Sequence, residues 1–243
     1  MAEERFRNLI LQVLGDDAIE KLALRHAELE QGRSLQKPGA RIREVFFIED
    51  GMASMTIALE DGSHVEAGMF GWDSVIGGAG LMGVTESNCS IAMQVPGHGY
   101  ISTLEAASAE FRMQSGFQRL VLRYAQSQVM QAAQASGCNA RHNVQQRLSR
   151  WLLLCRDRTT SDVMPLTQEY LAMMLGVERP AVSVVAAKLQ EQGAIEYSRG
   201  RVRVVDRARL ESIACECYQA VRQEMEALVR FAESVSAAPV ARG

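Results

Sequence analysis

Arg179, Ser183, Val184 and Lys188 fall on one helical stripe of "LGVERPAVSVVAAKLQ" (175–190). Together these side chains can read the edge of a DNA base pair. Arginine forks onto guanine O6 and N7, serine bonds either base type, and a valine methyl touches that of thymine. Pro180 falls in the first turn of the helix, where its missing N–H leaves no bond unmade. With Ala187 these residues form an outward face of short side chains, which lets a helix lie deep in a major groove. A helix facing only water would more usually carry Glu and Lys there.

Such a face must be held by a second helix. "QEYLAMMLGVERPAVSVVAA" (168–187) fits two helices crossed through a tight turn. Leu171 and Leu175 point inward and Ala172 is small enough for the crossing. Gly176 tolerates the positive φ of the turn, and Val177 plugs the corner. Val182, Val185 and Leu189 give the second helix its buried side. Thr167 is the expected N-cap, and Thr167 and Gln168 join the DNA-contacting set at the start of the first helix. The stretch that follows, "GAIEYSRGRVRVVD" (193–206), reads as a hairpin turning near Arg199-Gly200. Val202 and Val204 alternate inward and Arg201 and Arg203 outward. Arg199, Arg201 and Arg203 are expected to meet phosphates, which position a protein without reading sequence. The alternative is a solvated edge hairpin protected by its charge.

Charge supports the first reading. The chain carries −3 overall, but residues 1–137 carry −6, residues 138–209 carry +5 and residues 210–243 carry −2. A basic segment in an acidic chain is a local electrostatic footprint for phosphate. The composition, 47% hydrophobic and 23% charged, is that of a soluble globular protein. No apolar run reaches the length of a membrane span, and "MAEERFRNLI" does not resemble a secretory signal. Five scattered cysteines (89, 138, 155, 215, 217) fit a reducing cytoplasm.

Residues 1–36 read as helical. From Lys37-Pro38-Gly39 the texture alternates, and Asp50-Gly51 and Asp61-Gly62 carry the composition of hairpin turns. Strand-like runs at 89–95 and 98–103 are separated by Pro96-Gly97. The chain is expected to turn helical again near Leu104, with an uninterrupted helix from Ser115 to Gly137. Phe117, Val121, Ala125, Val129 and Ala132 stripe that helix as a candidate dimer seam; packing on its own sheet is the alternative. Residues 137–143 read as a hinge, followed by a helix through "VQQRLSRWLLLCRD". The tail reads as one amphipathic helix from a cap at Asp206, along Leu210, Ile213, Cys217, Val221 and Leu228, with "SAAPVARG" frayed.

The glycine-punctuated β-region, the long helix, "NVQQRLSRWLLL" and "LTQEYLAMMLGVERPAVSVVAAKLQEQGAIEYSRGRVRVVD" resemble the Crp/Fnr superfamily of bacterial transcription regulators, over roughly residues 40–206. The resemblance implies an α+β fold: an N-terminal cyclic-nucleotide-binding-like β jelly roll with leading helices (1–113), a long dimerisation helix (114–137) and a C-terminal winged helix-turn-helix with a C-terminal helix (138–243). It implies a homodimer on a palindromic double-stranded promoter operator, with RNA polymerase as a further partner and no membrane.

The departures are specific. Family members that bind cyclic AMP open the phosphate cassette with Gly-Glu and close it with Arg-Ser; here the corresponding residues are Gly77-Gly78 and Asn88-Cys89. The hydroxyl residues that contact adenine are replaced by Ala132 and Ala133. Without a cation opposite the phosphate, cyclic AMP is not the expected effector. Another nucleotide in the pocket of Gly77, Gly78, Asn88 and Cys89 is one reading; a jelly roll serving only as a dimer scaffold is the other. Where the family often shows Arg-Glu-x-x-x-Arg in the reading helix, this chain has Arg179, Pro180 and Val184, so its operator is expected to differ. A jelly-roll enzyme with an accessory domain is the remaining class. No nucleophile–base pair, paired carboxylates or metal triad supports it, and His64 and His98 lack paired-histidine spacing. The N-terminal cysteine cluster of oxygen-sensing members is missing from residues 1–36. Cys215 and Cys217, two apart in an expected helix, point to opposite sides, and Cys138 and His142 fall in the expected hinge. The cysteines are therefore read as incidental, with no metal site.

Overall fold

The computed structural model describes residues 5–60 and 62–237. The N-terminal half is built from α1 (Leu9–Gln12), α2 (Asp16–Lys21), β1 (Arg25–Leu29), β2 (Ser34–Gln36), β3 (Glu44–Ala58), β4 (His64–Phe70), α3 (Gly78–Leu81), β5 (Ser90–Thr103) and α4 (Leu104–Arg112). The strands form one antiparallel sheet in the order β1-β5-β3-β4, with β2 also on β5, rolled around a core of Val45, Phe47, Ile48, Ile76 and Ile101. Then follow α5 (Gly116–Arg141), α6 (Val144–Arg156), β6 (Val163–Met164), α7 (Gln168–Leu175), α8 (Arg179–Glu191), β7 (Ile195–Ser198), β8 (Arg201–Val204), α9 (Arg207–Ile213) and α10 (Cys217–Ala237). No single helix among the described residues is long and apolar enough to cross a membrane.

Several expectations are corrected. Among the described residues of the leading segment, only Leu9–Gln12 and Asp16–Lys21 are helical. Arg25–Leu29 and Ser34–Gln36 are strands because pairing to β5 buries Ala27, Leu29 and Leu35, which overrides the helix preference of Ala, Leu and Glu. Asp50-Gly51 does not reverse the chain. It lies within β3 near Pro96-Gly97 of β5, where the register between the strands slips three times. Gly51 has φ +91°, and a Cβ there would sit 2.7 Å from the Val95 carbonyl oxygen; one on Gly97 would sit 2.0 Å from that of Asp50. The two dipeptides let the strands bend together as a bulged corner of the roll. Pro96-Gly97 therefore lies inside one continuous strand, β5. The β3–β4 pair does reverse around Gly62 at φ +82°; Asp61 lies outside the described residues, as does the tail from residue 238.

The expected hinge at 137 is displaced. Helix α5 runs through Gly137 to Arg141, and the break falls at His142-Asn143, where Asn143 and Gln146 form a capping box that starts α6. The tail is two helices, not one: Asp206 caps α9 as expected, and the extended Ala214 ends it before α10 begins. Helix α10 then returns along α5. Its first turns, with Tyr218 and Val221, join the C-terminal core, and Leu228, Ala232 and Val235 enter the N-terminal one.

Helix α5 consequently has three faces. Phe117, Leu120, Val121 and Tyr124 are buried in the N-terminal core. Gly116, Arg119, Arg123 and Gln134 meet α10, through a 2.6 Å Arg123–Glu224 ion pair and an Arg119–Phe231 cation–π contact among others. Leu122, Ala125, Val129, Ala132 and Ser136 share the third. Phe117 and Val121 (0% and 1% exposed) are thus removed from the seam expected from sequence, whereas Leu122 (47%) and Val129 (62%) lie open. The sequence shows one apolar stripe, and its first two turns are claimed by the sheet beneath.

Candidate nucleic-acid interface

Helices α7 and α8 cross at 107°, within the range of a helix-turn-helix. Thr167 caps α7 by accepting the Tyr170 amide at 3.1 Å. Gly176 takes the left-handed conformation (φ +60°) and ends α7; the Arg147 guanidinium also donates to the Leu175 carbonyl at that end. Leu171, Ala172, Leu175, Val182 and Leu189 are buried against Leu148, Leu152, Ile195 and Val202. Glu178 precedes α8, and Pro180 stands in its first turn with no interrupted bond.

That packing leaves Arg179, Pro180, Val184, Ala187 and Lys188 facing outward, with Val184 70% exposed. A valine so exposed on a surface helix gains little from the fold. Ser183 is half-buried. Its hydroxyl donates to Gln168 Oε1 at 2.6 Å, so the first residue of α7 and the middle of α8 form one polar unit. Arg179 is paired through Nε with Glu169 Oε1 at 3.1 Å, both side chains about 62% exposed. Sequence reasoning missed Glu169, because a partner on the preceding helix is set by the crossing angle and not by spacing. An exposed ion pair of this kind contributes little to stability, so breaking it costs the fold little.

The basic hairpin forms as expected. Arg199 (φ +50°) and Gly200 (φ +72°) make the two-residue turn between β7 and β8. Val202 is fully buried, and Arg199, Arg201 and Arg203 are exposed. The short strand β6, on the far side of β8, completes a three-stranded wing; two residues are too few for a periodic signal. Arg203 is forked onto Glu196 at 2.7 and 3.0 Å, which stiffens the hairpin. A Cβ on Gly200 would lie 3.2 Å from the Thr167 methyl. The wing tip and the start of α7 are therefore adjacent.

The reader is docked on the sheet. The Tyr170 hydroxyl lies 2.9 Å from Ser54 of β3, and burial raises its pKa well above the ordinary phenol value. Arg158 pairs with Asp73 at 2.8 Å with both side chains buried, and Thr160 donates twice to Asp50.

The four residues expected to line an effector pocket differ in burial. Gly77 (φ +91°) lies against the Glu44 carbonyl, and a Cβ on Gly78 would touch Val75 and Val121 at 3.6 and 3.7 Å. Asn88 is exposed, whereas Cys89 is buried beside Ser87. Gly78 is thus packed beside Val75 and Val121 of the core.

Residues 146–213 match the Crp-like helix-turn-helix domain family. No curated protein sequence matches the chain. Among solved structures, FixK2 from Bradyrhizobium japonicum superposes with a TM-score of 0.66 at 14% identity, over 79% of this chain and 98% of its own. TTHB099, a CRP-family transcriptional regulator from Thermus thermophilus, gives 0.66 at 20% identity over 77% and 96%. The c-di-GMP responsive global regulator CLP from Xanthomonas campestris gives 0.61 at 16% over 79% and 100%. The two-helix unit, its basic wing and the sheet on which they dock are thus parts of one known architecture: residues 146–213 match a Crp-like helix-turn-helix domain, and the chain shares the fold of FixK2, TTHB099 and CLP.

Proposed function

We propose that the chain acts as a homodimer that reads a roughly palindromic promoter operator, in the cytoplasm and within reach of RNA polymerase. The observation that carries this reading is the outward face of α8, with Arg179, Val184 and Lys188 exposed beside a wing that offers Arg199 and Arg201. Arg179, Ser183 and Val184 read base edges, Gln168 orients Ser183, and Thr167, Lys188, Arg199 and Arg201 hold phosphates. Two copies joined along the open face of α5 place two reading helices about 34–36 Å apart, one turn of duplex.

Two observations favour a jelly roll that does not take cyclic AMP. Asn88 and Cys89 stand where a cation and a hydroxyl would be needed, and Gly78 is packed on Val75 and Val121. A purely structural scaffold fits that packing. A different nucleotide is the second reading; the similar CLP is described as c-di-GMP responsive, so cyclic dinucleotides belong in the test. The experiment is selected-site sequencing of random duplexes bound by the full chain, with and without a panel of cyclic mono- and dinucleotides. A palindromic motif enriched without nucleotide establishes the scaffold reading. Enrichment only with one nucleotide identifies an effector. No motif under any condition rejects sequence-specific reading by α8.

A further inference from the structure

Cys138, His142, Cys215 and Cys217 converge although 72 residues separate the first pair from the second. One donor atom from each lies within 4.8 Å of every other. The Cys138 and Cys215 sulfurs are 3.5 Å apart, and the Cys217 sulfur is 3.6 Å from His142 Nδ1. The three cysteines are buried and the His142 side chain is 15% exposed. Two departures from sequence expectation produce the cluster. Because α5 continues to Arg141, Cys138 and His142 sit one turn apart on one helix face. Because the chain bends at Ala214 between α9 and α10, Cys215 and Cys217 lie on a turn, where residues two apart can face the same point; the Tyr218 amide bonding back to the Cys215 carbonyl at 3.0 Å closes that turn.

We propose that these four side chains bind one zinc ion per chain, and that the ion clasps the entry and exit of the DNA-binding domain together. Tetrahedral thiolates at about 2.3 Å from a metal stand about 3.8 Å from one another, which the cluster meets with small side-chain adjustments. An iron–sulfur cluster distributes its cysteines over several irons and spreads them farther apart. Three sulfurs and one imidazole with no open side are the donor set of a closed structural zinc site.

The surroundings supply an independent sign. His142 Nε2 lies 3.1 Å from Glu216 Oε1. That contact places the proton on Nε2 and leaves the Nδ1 lone pair directed at the three sulfurs, the carboxylate–histidine arrangement that orients metal ligands. Gln134 Nε2 donates to the Cys217 sulfur at 3.0 Å, a contact that stabilises a thiolate. Both chain connections to the DNA-binding domain, α5 entering and α10 leaving, pass through this point, so the ion would fix how the reader is held relative to α5. The assignment does not depend on which operator the protein reads.

The test is zinc content of the full-length chain, purified under reductant from zinc-supplemented cells, by elemental analysis, alongside Cys138→Ser, Cys215→Ser, His142→Gln, Cys89→Ser and Cys155→Ser. One zinc per chain is expected in the parent and in the Cys89 and Cys155 variants, with near-complete loss in the Cys138 and Cys215 variants. Should those two fail to fold, cobalt titration of the reduced, metal-stripped parent decides: thiolate-to-cobalt charge-transfer and tetrahedral ligand-field bands saturating at one equivalent support the site. A metal-free parent that takes up no cobalt overturns it, as does zinc retained by folded Cys138→Ser and Cys215→Ser, or stoichiometric iron with acid-labile sulfide.

Discussion

The Trp151 indole donates to Glu66 Oε1 at 2.8 Å, across the boundary between the DNA-binding domain and the sheet. Ser54 donates to the other carboxylate oxygen at 2.7 Å. Glu66 as a residue is half-buried, but its carboxyl group lies beneath the docked helices. Burial pushes its pKa from the ordinary 4.5 to about 7, against smaller downward pulls from the two hydrogen bonds and from Arg150 and Arg158. A carboxyl group with a raised pKa binds its proton more tightly in the docked protein than in the unfolded chain. Its contribution is therefore complete below about 4.5 and is lost as pH rises through about 7. Thermal unfolding of the parent minus Glu66→Gln should give a difference that shifts toward the parent as pH falls from 8 to 5. A pH-independent difference would show that the carboxyl group does not titrate in this interval.

The buried Arg158–Asp73 pair predicts a second asymmetry. Gly71 makes room for it, since a Cβ there would lie 2.6 Å from Arg158 Cγ. Removing one partner strands the other charge away from water, at a cost of about 3–5 kcal/mol, whereas replacing both with apolar residues is often neutral. Arg158→Met should therefore lower stability sharply in urea, and Arg158→Met with Asp73→Leu should recover most of it. Additive losses would mean that the pair is not the coupling it resembles.

The reader was legible from sequence because its signals are local: a cap, a positive-φ glycine, a proline in a first turn and a valine–arginine alternation each act within a few residues. The sheet was legible in kind only. Asp50-Gly51 and Pro96-Gly97 carry the composition of turns, but facing each other across two strands they serve as a bulged corner. Arg25–Leu29 has the composition of a helix and becomes a strand through a partner some 70 residues away. The cysteine cluster was hidden for the same reason: its two halves meet only after the intervening domain has folded.

On the proposed dimer, the two apolar faces of α5 separate association from folding. Val121 is packed against Gly78 in the core and Val129 stands open. Val129→Glu should yield a monomer by sedimentation where the parent is a dimer, with a circular dichroism spectrum unchanged from the parent's. Val121→Glu should fail to fold or lose several kcal/mol, since it buries a charge without a partner. A dimeric Val129→Glu would move the seam off this face of α5.

Arg179 and Arg201 should fail differently on DNA. Arg179 stands at the start of α8, paired with Glu169, and in the proposed reading a base replaces that carboxylate. Arg179→Ala should weaken the selected operator by about 1–3 kcal/mol and relax preference at one base pair per half-site, leaving non-specific affinity nearly intact. Arg201 lies on the wing with no carboxylate partner among the described residues. Arg201→Ala should weaken all duplexes alike and lower the slope of log K against log salt by about 1 per protomer. Glu169→Gln separates two roles for the ion pair. If Glu169 only occupies Arg179 in the free protein, operator affinity rises; if it aims the guanidinium at the base, affinity falls and the same base-pair position loses discrimination. Binding isotherms on operator and scrambled duplexes at three salt concentrations distinguish all three variants, and equal losses on both duplexes for Arg179→Ala would remove it from direct readout.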